Sequence, residues 1–278
     1  MTASQSTIHI PFGWQQRTEK IGFARKHGYG VEICVFAGGD AVDDPCARAE
    51  FERLVTSKLR RFPGPLSMHG AFMDLAVHSG DSHIACHSRR RIIEDIRLAG
   101  RLGCQKVVFH TGFNPLVPSV KYKERFLTAH AAFWQRAAAH CPALTICLEN
   151  QWEPDPAILK ELMRRIDRPN VRLCLDVAHA HAYSTIPVLT WLDQLAPHVA
   201  HMHWNDNHGD TDSHLAIGTG TIDWAALAAR TRRLEVPVSI VIELNSLNAI
   251  QQSLSYLAGL PGLERIPAAL LQPLHDRS

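Results

Sequence analysis

The sequence predicts a closed barrel of eight parallel strands with helices on the outside, and three observations carry the prediction. Short β-rich runs alternate with longer helical patterns along the whole chain. The short runs are continuously apolar rather than alternating, as parallel strands covered on both faces are. Eight such strand–helix units fit in about 260 residues, the count and length of a (β/α)8 barrel. A doubly wound open sheet is the structural rival.

Taken in order, strands are expected near residues 8–12, 31–36, 66–69, 106–110, 144–149, 171–176, 199–203 and 238–243. Helices are expected near 15–27, 46–61, 84–102, 123–140, 156–166, 187–195, 224–234 and 249–258. Asp155 before Pro156 reads as an N-cap with proline at the first helical position. Asp223 before Trp224 reads as a second N-cap. Gly103 suits a left-handed helix C-cap. No linker, low-complexity segment or long repeat interrupts the pattern, so residues 1–262 are assigned to one barrel and 263–278 to a C-terminal tail.

Composition narrows the function classes. A hydrophobic content of 46% supports a full core, and a formal charge of +2 gives no electrostatic case for nucleic acid or membrane. The basic run at Ser88–Arg91 is expected on a solvated helix face. Seven cysteines, none in a C-x-x-C pair, fit a reducing, cytosolic compartment. The N-terminus has no basic segment leading into an apolar one, so no signal peptide is expected, and no run has the length of a membrane span.

Seventeen histidines are many for this length, and they are not scattered evenly. Successive strands from the third to the eighth end in His69, His110, Glu149, Asp176, His203 and Glu243. In a barrel these ends converge on one mouth, where active sites form. Charge aimed into a low-dielectric mouth is costly unless it is paired or bound to metal, and no Lys or Arg ends these strands. Imidazole plus carboxylate suits zinc, manganese or iron, whereas magnesium and calcium prefer oxygen throughout.

The stretch HWNDNHGDTDSHLAIGTG, His203 to Gly220, leaves the seventh strand and is expected to lie over the mouth. Its Asp212 and His214 form a D-x-H pair able to turn two ligands toward one ion, and His179 can complete a three-ligand set. Asp206, His208 and Asp210 are explained by turn chemistry, and Gly218 to Gly220 by a tight turn before the Asp223 cap. His201 points inward one layer below His203, His181 lies off the ligand pattern, and Cys174 is expected to fill the barrel. Trp14, Phe72, Asn150, Trp152 and Trp204 lie near strand ends, where Phe72, Asn150, Trp152 and Trp204 are candidates for contacting substrate.

The motifs MHGAF, VVFHTG, CLENQWE, CLDVAHAH, MHWND, LAIGTGTIDW and VIELN together resemble the xylose-isomerase-like TIM barrels, the AP endonuclease 2 family of endonuclease IV and the sugar-phosphate isomerases and epimerases. The resemblance runs from about Ile8 to Ala258. In its epimerase branch it implies one metal held by Glu149, Asp176, His203 and Glu243, with the two glutamates also moving protons. In its endonuclease IV branch it implies three zinc ions. His69 and His110 would then hold one, with Glu149 bridging to a second completed by Asp176, His203 and Glu243, and His179, Asp212 and His214 would hold the third. The cofactor expected is therefore one to three zinc or manganese ions per chain.

Two departures bear on the choice. The arginine with which an epimerase of this kind grips substrate from the strand-seven loop is replaced by Asp212-Ser213-His214. The basic and aromatic loops of endonuclease IV have no counterpart, since the loops after strands two and three, AGGD and AFMDLAVHSGD, are small and acidic. The leading expectation is a hydrolase cleaving a phosphoester of a small sugar phosphate or nucleotide-like molecule. The alternatives are a sugar isomerase or epimerase using Glu149 and Glu243 as acid and base, an AP endonuclease acting on DNA, and a metal- or sugar-binding barrel without turnover.

Overall fold

The computed structural model describes residues 7–38 and 44–260. Its eight strands are β1 (Thr7–Phe12), β2 (Gly30–Ile33), β3 (Leu66–His69), β4 (Lys106–His110), β5 (Thr145–Glu149), β6 (Val171–Asp176), β7 (Val199–Trp204) and β8 (Ser239–Ile242). They pair in sequence order, all parallel, and β8 closes on β1. The closed barrel is thus as the sequence predicts, and the open-sheet rival is excluded by the β1–β8 pairing. The assigned tail, 263–278, and Asp40 of the loop after β2 lie outside the described residues.

The helices are α1 (Arg17–His27), α2 (Pro45–Leu59), α3 (Ser82–Arg101), α4 (Val120–Ala137), α5 (Ala157–Ile166), α6 (Val177–Tyr183), α7 (Val188–Leu195), α8 (Trp224–Thr231) and α9 (Leu247–Ala258). Side-chain caps set several starts. Asp81 accepts from His83 N and Ile84 N, Ser119 from Tyr122 N, Asp223 from Ala226 N and Ser246 from Ala249 N. Asp155 Oδ1 accepts from Ala157 N at 2.7 Å and so satisfies the start of α5, but Pro156, expected at the first helical position, is itself the N-cap, and Asp155 lies one residue before it. Gly103 has φ 75° and ends the α3 turn in the left-handed region.

Three expectations are corrected. β2 ends at Ile33, because Ala37 N turns back to Cys34 O, although Val35 and Phe36 stay buried in the core. Helix α6 was not expected, since its VAHAHAY is one short piece entered directly from β6 and capped by Asp176. The Ser88–Arg91 run is only partly solvated: Ser88 is buried and accepts from Ala76 N, and Arg89 Nη2 donates to Val77 O at 2.8 Å. Those bonds fasten the long loop after β3 to α3, behind His69.

The main core lies between strands and helices, with Trp134, Trp191, Trp204 and Trp224 fully buried in it. The barrel interior is different. Such interiors are usually packed with bulky branched side chains. Here one part is the small cluster of Val108, Cys147 and Cys174. Another is polar: His9, Glu32, Ser67, His201 and Ser239 are all buried and bonded to one another. This polar layer sits directly beneath the strand ends that form the site.

Candidate metal centre

The strand ends do converge. Glu149, at the end of β5, is fully buried at the centre of the group. Its Oε2 lies 3.3 Å from His69 Nε2 and 3.3 Å from His110 Nε2. Its Oε1 lies 3.0 Å from His203 Nδ1 and 3.6 Å from His179 Nδ1. His203 Nδ1 is also 3.6 Å from Glu243 Oε2 and 4.0 Å from Asp176 Oδ2. On the loop side, Asp212 Oδ2 lies 3.2 Å from His179 Nε2 and 3.1 Å from His214 Nε2. All nine residues are therefore connected within one mouth.

Local structure explains why the rings face inward. His69, His179 and His214 each donate from Nδ1 to a backbone carbonyl, of Gly70 (2.8 Å), Asn150 (2.9 Å) and Glu243 (3.0 Å) respectively. That bond fixes Nδ1 as a protonated nitrogen and directs Nε2 into the site. Gly70 lets its strand pass Phe109, whose ring carbon would sit 2.1 Å from an added Cβ. His214 holds a left-handed backbone, φ 47°, which a non-glycine residue adopts at a cost of roughly 1–3 kcal/mol. The loop that bears it is anchored by buried Asp206, whose carboxylate accepts from Asn207 N, Gly218 N, Ile222 N and Trp224 Nε1. A Cβ at Gly220 would lie 2.3 Å from Asp206 Oδ1, so the G-T-G turn is structural.

The residues fit a divalent cation on their own chemistry. Buried atoms without a hydrogen-bond partner include Glu149 Oε2, Asp176 Oδ2, Asp212 Oδ1 and Glu243 Oε2. Orphaned carboxylate oxygens in one cavity are expensive, and a cation offsets them. Two sets, His69–His110–Glu149 and Glu149–Asp176–His203, have ligand atoms all within 4.8 Å of one another. His179, Asp212 and His214 do not form so compact a set among the described residues, although both rings reach Asp212. Cys174, His201 and His203 are also close together, but both rings are directed by Nε2 to Glu32 and burial raises the Cys174 thiol well above its usual range.

Electrostatics follow the same geometry. Burial opposes charge on His179 and His203, yet the surrounding anions win, Asp176, Asp212 and Glu149 for the first and Glu149, Glu243 and Glu32 for the second, so both rings titrate well above their ordinary range. Burial also opposes charge on His214, but Asp212 and Glu243 raise it to about 10. Burial pushes Asp176 up to about 7, beside Glu243 and Glu149. Burial lowers His110 despite Glu149.

The substrate-wall residues divide. Phe72 stacks on His110 with ring centres 4.3 Å apart and meets His69 edge-on at 5.4 Å, so it lines the site. Trp152 is 44% exposed beyond β5, and Trp14, 47% exposed, packs on Phe51. Trp204 is corrected: it is 0% exposed and packs on Trp224, because it faces the helices rather than the mouth. Asn150 is corrected too. Its side chain clamps the backbone of Asp176 through both N and O (2.9 and 2.8 Å), so it positions the site instead of meeting substrate. His201 lies one layer down and His181 bonds Thr221 Oγ1, both as expected.

Among the buried carboxylates that the sequence did not single out are Glu32 and Glu153. Glu32 of β2 lies 2.9 Å from His203 Nε2 and 2.8 Å from His201 Nε2. Its signal was a lone Glu within the apolar run GVEICV. Glu153, 2% exposed, accepts from Thr111 Oγ1 and from Gln151 N, beneath the loop after β5.

Comparison with known proteins agrees with this architecture. The profile of the xylose isomerase-like TIM barrel family matches residues 21–260, and the chain belongs to that family. It is 26% identical over 194 residues to protein MJ1311 of Methanocaldococcus jannaschii, an uncharacterised protein; the match spans 66% of this chain and 65% of that one, so the chain covers less than two thirds of that relative's length. Among solved structures it resembles the TTHB071 protein of Thermus thermophilus, soaked with zinc chloride, at TM-score 0.74 and 25% identity over 92% of this chain and 98% of that one. It resembles a D-tagatose 3-epimerase-like protein at TM-score 0.73 and 21% identity, covering 88% and 94%. An L-ribulose 3-epimerase follows at TM-score 0.67 and 19% identity, covering 92% and 86%. The last two likenesses speak for the fold. The hydrolase expectation gains no support from these relatives.

Proposed function

We propose that this chain is a divalent-metal-dependent sugar isomerase or epimerase. The observation that carries the proposal is the placement of two carboxylates about one ring: Glu149 Oε1 at 3.0 Å and Glu243 Oε2 at 3.6 Å from His203 Nδ1, with Asp176 alongside. Glu149, Asp176, His203 and Glu243 would hold the ion, zinc or manganese by their mixed nitrogen and oxygen donors. His69 and His110 with Glu149 give room for a second, and His179, Asp212 and His214 supply donors toward a third. When bound, such an ion polarises the carbonyl of a ketose and its neighbouring hydroxyl.

The rest is done by the chain. One glutamate takes the proton from the carbon next to the carbonyl, and the other returns a proton to the opposite face. No proton is gained or lost overall, and the configuration at that carbon is inverted. Phe72, stacked on His110, supplies an apolar wall. The substrate is a small sugar. Nucleic acid is not expected, given the acidic loops and the charge of +2. No described helix is long and apolar enough to cross a membrane. The seven cysteines are all unpaired, which supports a reducing, cytoplasmic compartment.

The test is solvent isotope exchange. Full-length protein loaded with zinc or manganese is incubated in D2O with a panel of ketoses. Deuterium at the carbon beside the carbonyl, together with a new epimer, is expected, and Glu149→Gln and Glu243→Gln should each abolish it. Cleavage of a phosphoester without such exchange would overturn the proposal. Sugar binding without exchange would reduce the chain to a binding barrel.

A further inference from the structure

The histidines of the mouth are not all held alike. His69, His179 and His214 lean on backbone carbonyls through Nδ1 and offer Nε2. His203 is reversed: its Nδ1 faces Glu149, and its Nε2 faces a side chain, Glu32 Oε1, at 2.9 Å. We propose that Glu32 is the positioning residue of the site, fixing the tautomer of His203 and lending it negative charge, so that Nδ1 is presented as a metal ligand. This rests on the reading of the mouth as a metal centre.

The donor pattern around Glu32 leaves little choice. Ser67 Oγ donates to Oε2 at 2.9 Å, so His9 Nδ1 must donate to Ser67 Oγ, 3.0 Å away. His201 Nε2 lies 2.8 Å from the same Oε2. Its Nδ1 lies 2.5 Å from Ser239 Oγ, which in turn accepts from Lys106 Nζ at 2.5 Å. Ser239 therefore has its hydroxyl proton free for His201 Nδ1, and His201 presents Nε2–H to Glu32. Every neighbour of Glu32 is thus a donor, as an ionised carboxylate requires. Lys106 brings the compensating positive charge to the floor of the barrel. The remaining oxygen, Oε1, lies 2.9 Å from His203 Nε2, and neither atom has a hydrogen-bond partner elsewhere, so a ring that gives Nδ1 to a cation keeps its proton on Nε2, facing Oε1. A backbone carbonyl would set the same tautomer but without the full charge. A carboxylate behind a ligating histidine raises its basicity, and loss of such a partner typically costs about 10–100-fold in metal affinity.

Two measurements on the full chain test this. The first is the side-chain 15N–1H correlation spectrum, with His203→Gln used to assign the ring. A slowly exchanging proton on His203 Nε2 is expected, with and without zinc; a ring protonated at Nδ1 alone would overturn the proposal. The second is zinc affinity by competition with a chromophoric chelator. His203→Ala identifies the class of zinc that this ring binds. Glu32→Gln, nearly isosteric, should weaken the same class about 10–100-fold and leave the others. Wild-type affinity in Glu32→Gln would overturn the proposal. If Glu32→Gln does not fold, the wild-type spectrum still decides. If His203→Ala removes no zinc, the metal reading fails, and the spectrum alone decides whether Glu32 sets the tautomer.

Discussion

Two pairs of buried histidines in this molecule look alike in the sequence and differ entirely in what surrounds them. His78, in the loop after β3, and His130, on α4, meet at 3.2 Å between Nδ1 and Nε2. Their neighbours are Tyr122, Phe126 and Trp134, whose Nε1 donates to His130 Nδ1 at 3.2 Å. Burial lowers His78 to about 4, with Arg125 adding to the effect, and holds His130 well below its usual range. At the mouth His69 is just as buried and His110 nearly so, but both flank an anionic oxygen of Glu149. A buried histidine among aromatics is a neutral packing residue. It becomes a ligand candidate when its free ring nitrogen faces a carboxylate that has no other partner.

The comparison can be broken by substitution, and Glu149→Gln should have the largest effect. It replaces one carboxylate oxygen of the residue shared by both compact ligand sets with an NH2 group and removes the charge, so isotope exchange should fall by at least about 100-fold, with metal content falling too. Next come His69→Ala and His110→Ala, which should release the ion between those rings while leaving the Glu149–Asp176–His203 set loaded, as elemental analysis would show. A pH series sharpens the same contrast. His179, His203 and His214, raised by their anions, and Asp176, raised by burial, hold protons near neutrality that a cation must displace. Zinc affinity should therefore rise as pH rises, and calorimetry in buffers of different ionisation enthalpy should show proton release at pH 7. The smallest effect is expected from His130→Phe. Metal content should not change, and stability in urea should fall by about 1–3 kcal/mol, because Trp134 Nε1 loses its buried acceptor.

Much of the fold and site was legible because barrels turn one-dimensional pattern into geometry. Strand ends meet at one mouth, so His69, His110, Glu149, Asp176, His203 and Glu243 could be gathered from their positions alone. The loop pair Asp212 and His214 followed from its D-x-H spacing. What could not be read was the orientation of side chains across the barrel. Nothing local in GVEICV says that Glu32 meets rings from β7. Trp204 was misplaced for the same kind of reason: it follows His203 by one residue, and alternation along the strand sends it to the helices. Asn150 looked like a substrate contact because it is polar at a strand end, but its amide matches the backbone of the neighbouring strand's Asp176 in both directions. Helix α6 was hidden by its length, seven residues entered straight from a strand.

The central claim is that these strand ends form a metal centre. The most direct measurement is anomalous X-ray diffraction at the zinc edge from crystals of the full chain equilibrated with zinc. A peak within coordinating distance of Glu149, Asp176, His203 and Glu243 is predicted, absent in Glu149→Gln crystals treated alike. Saturating zinc with no peak at the mouth would contradict the account.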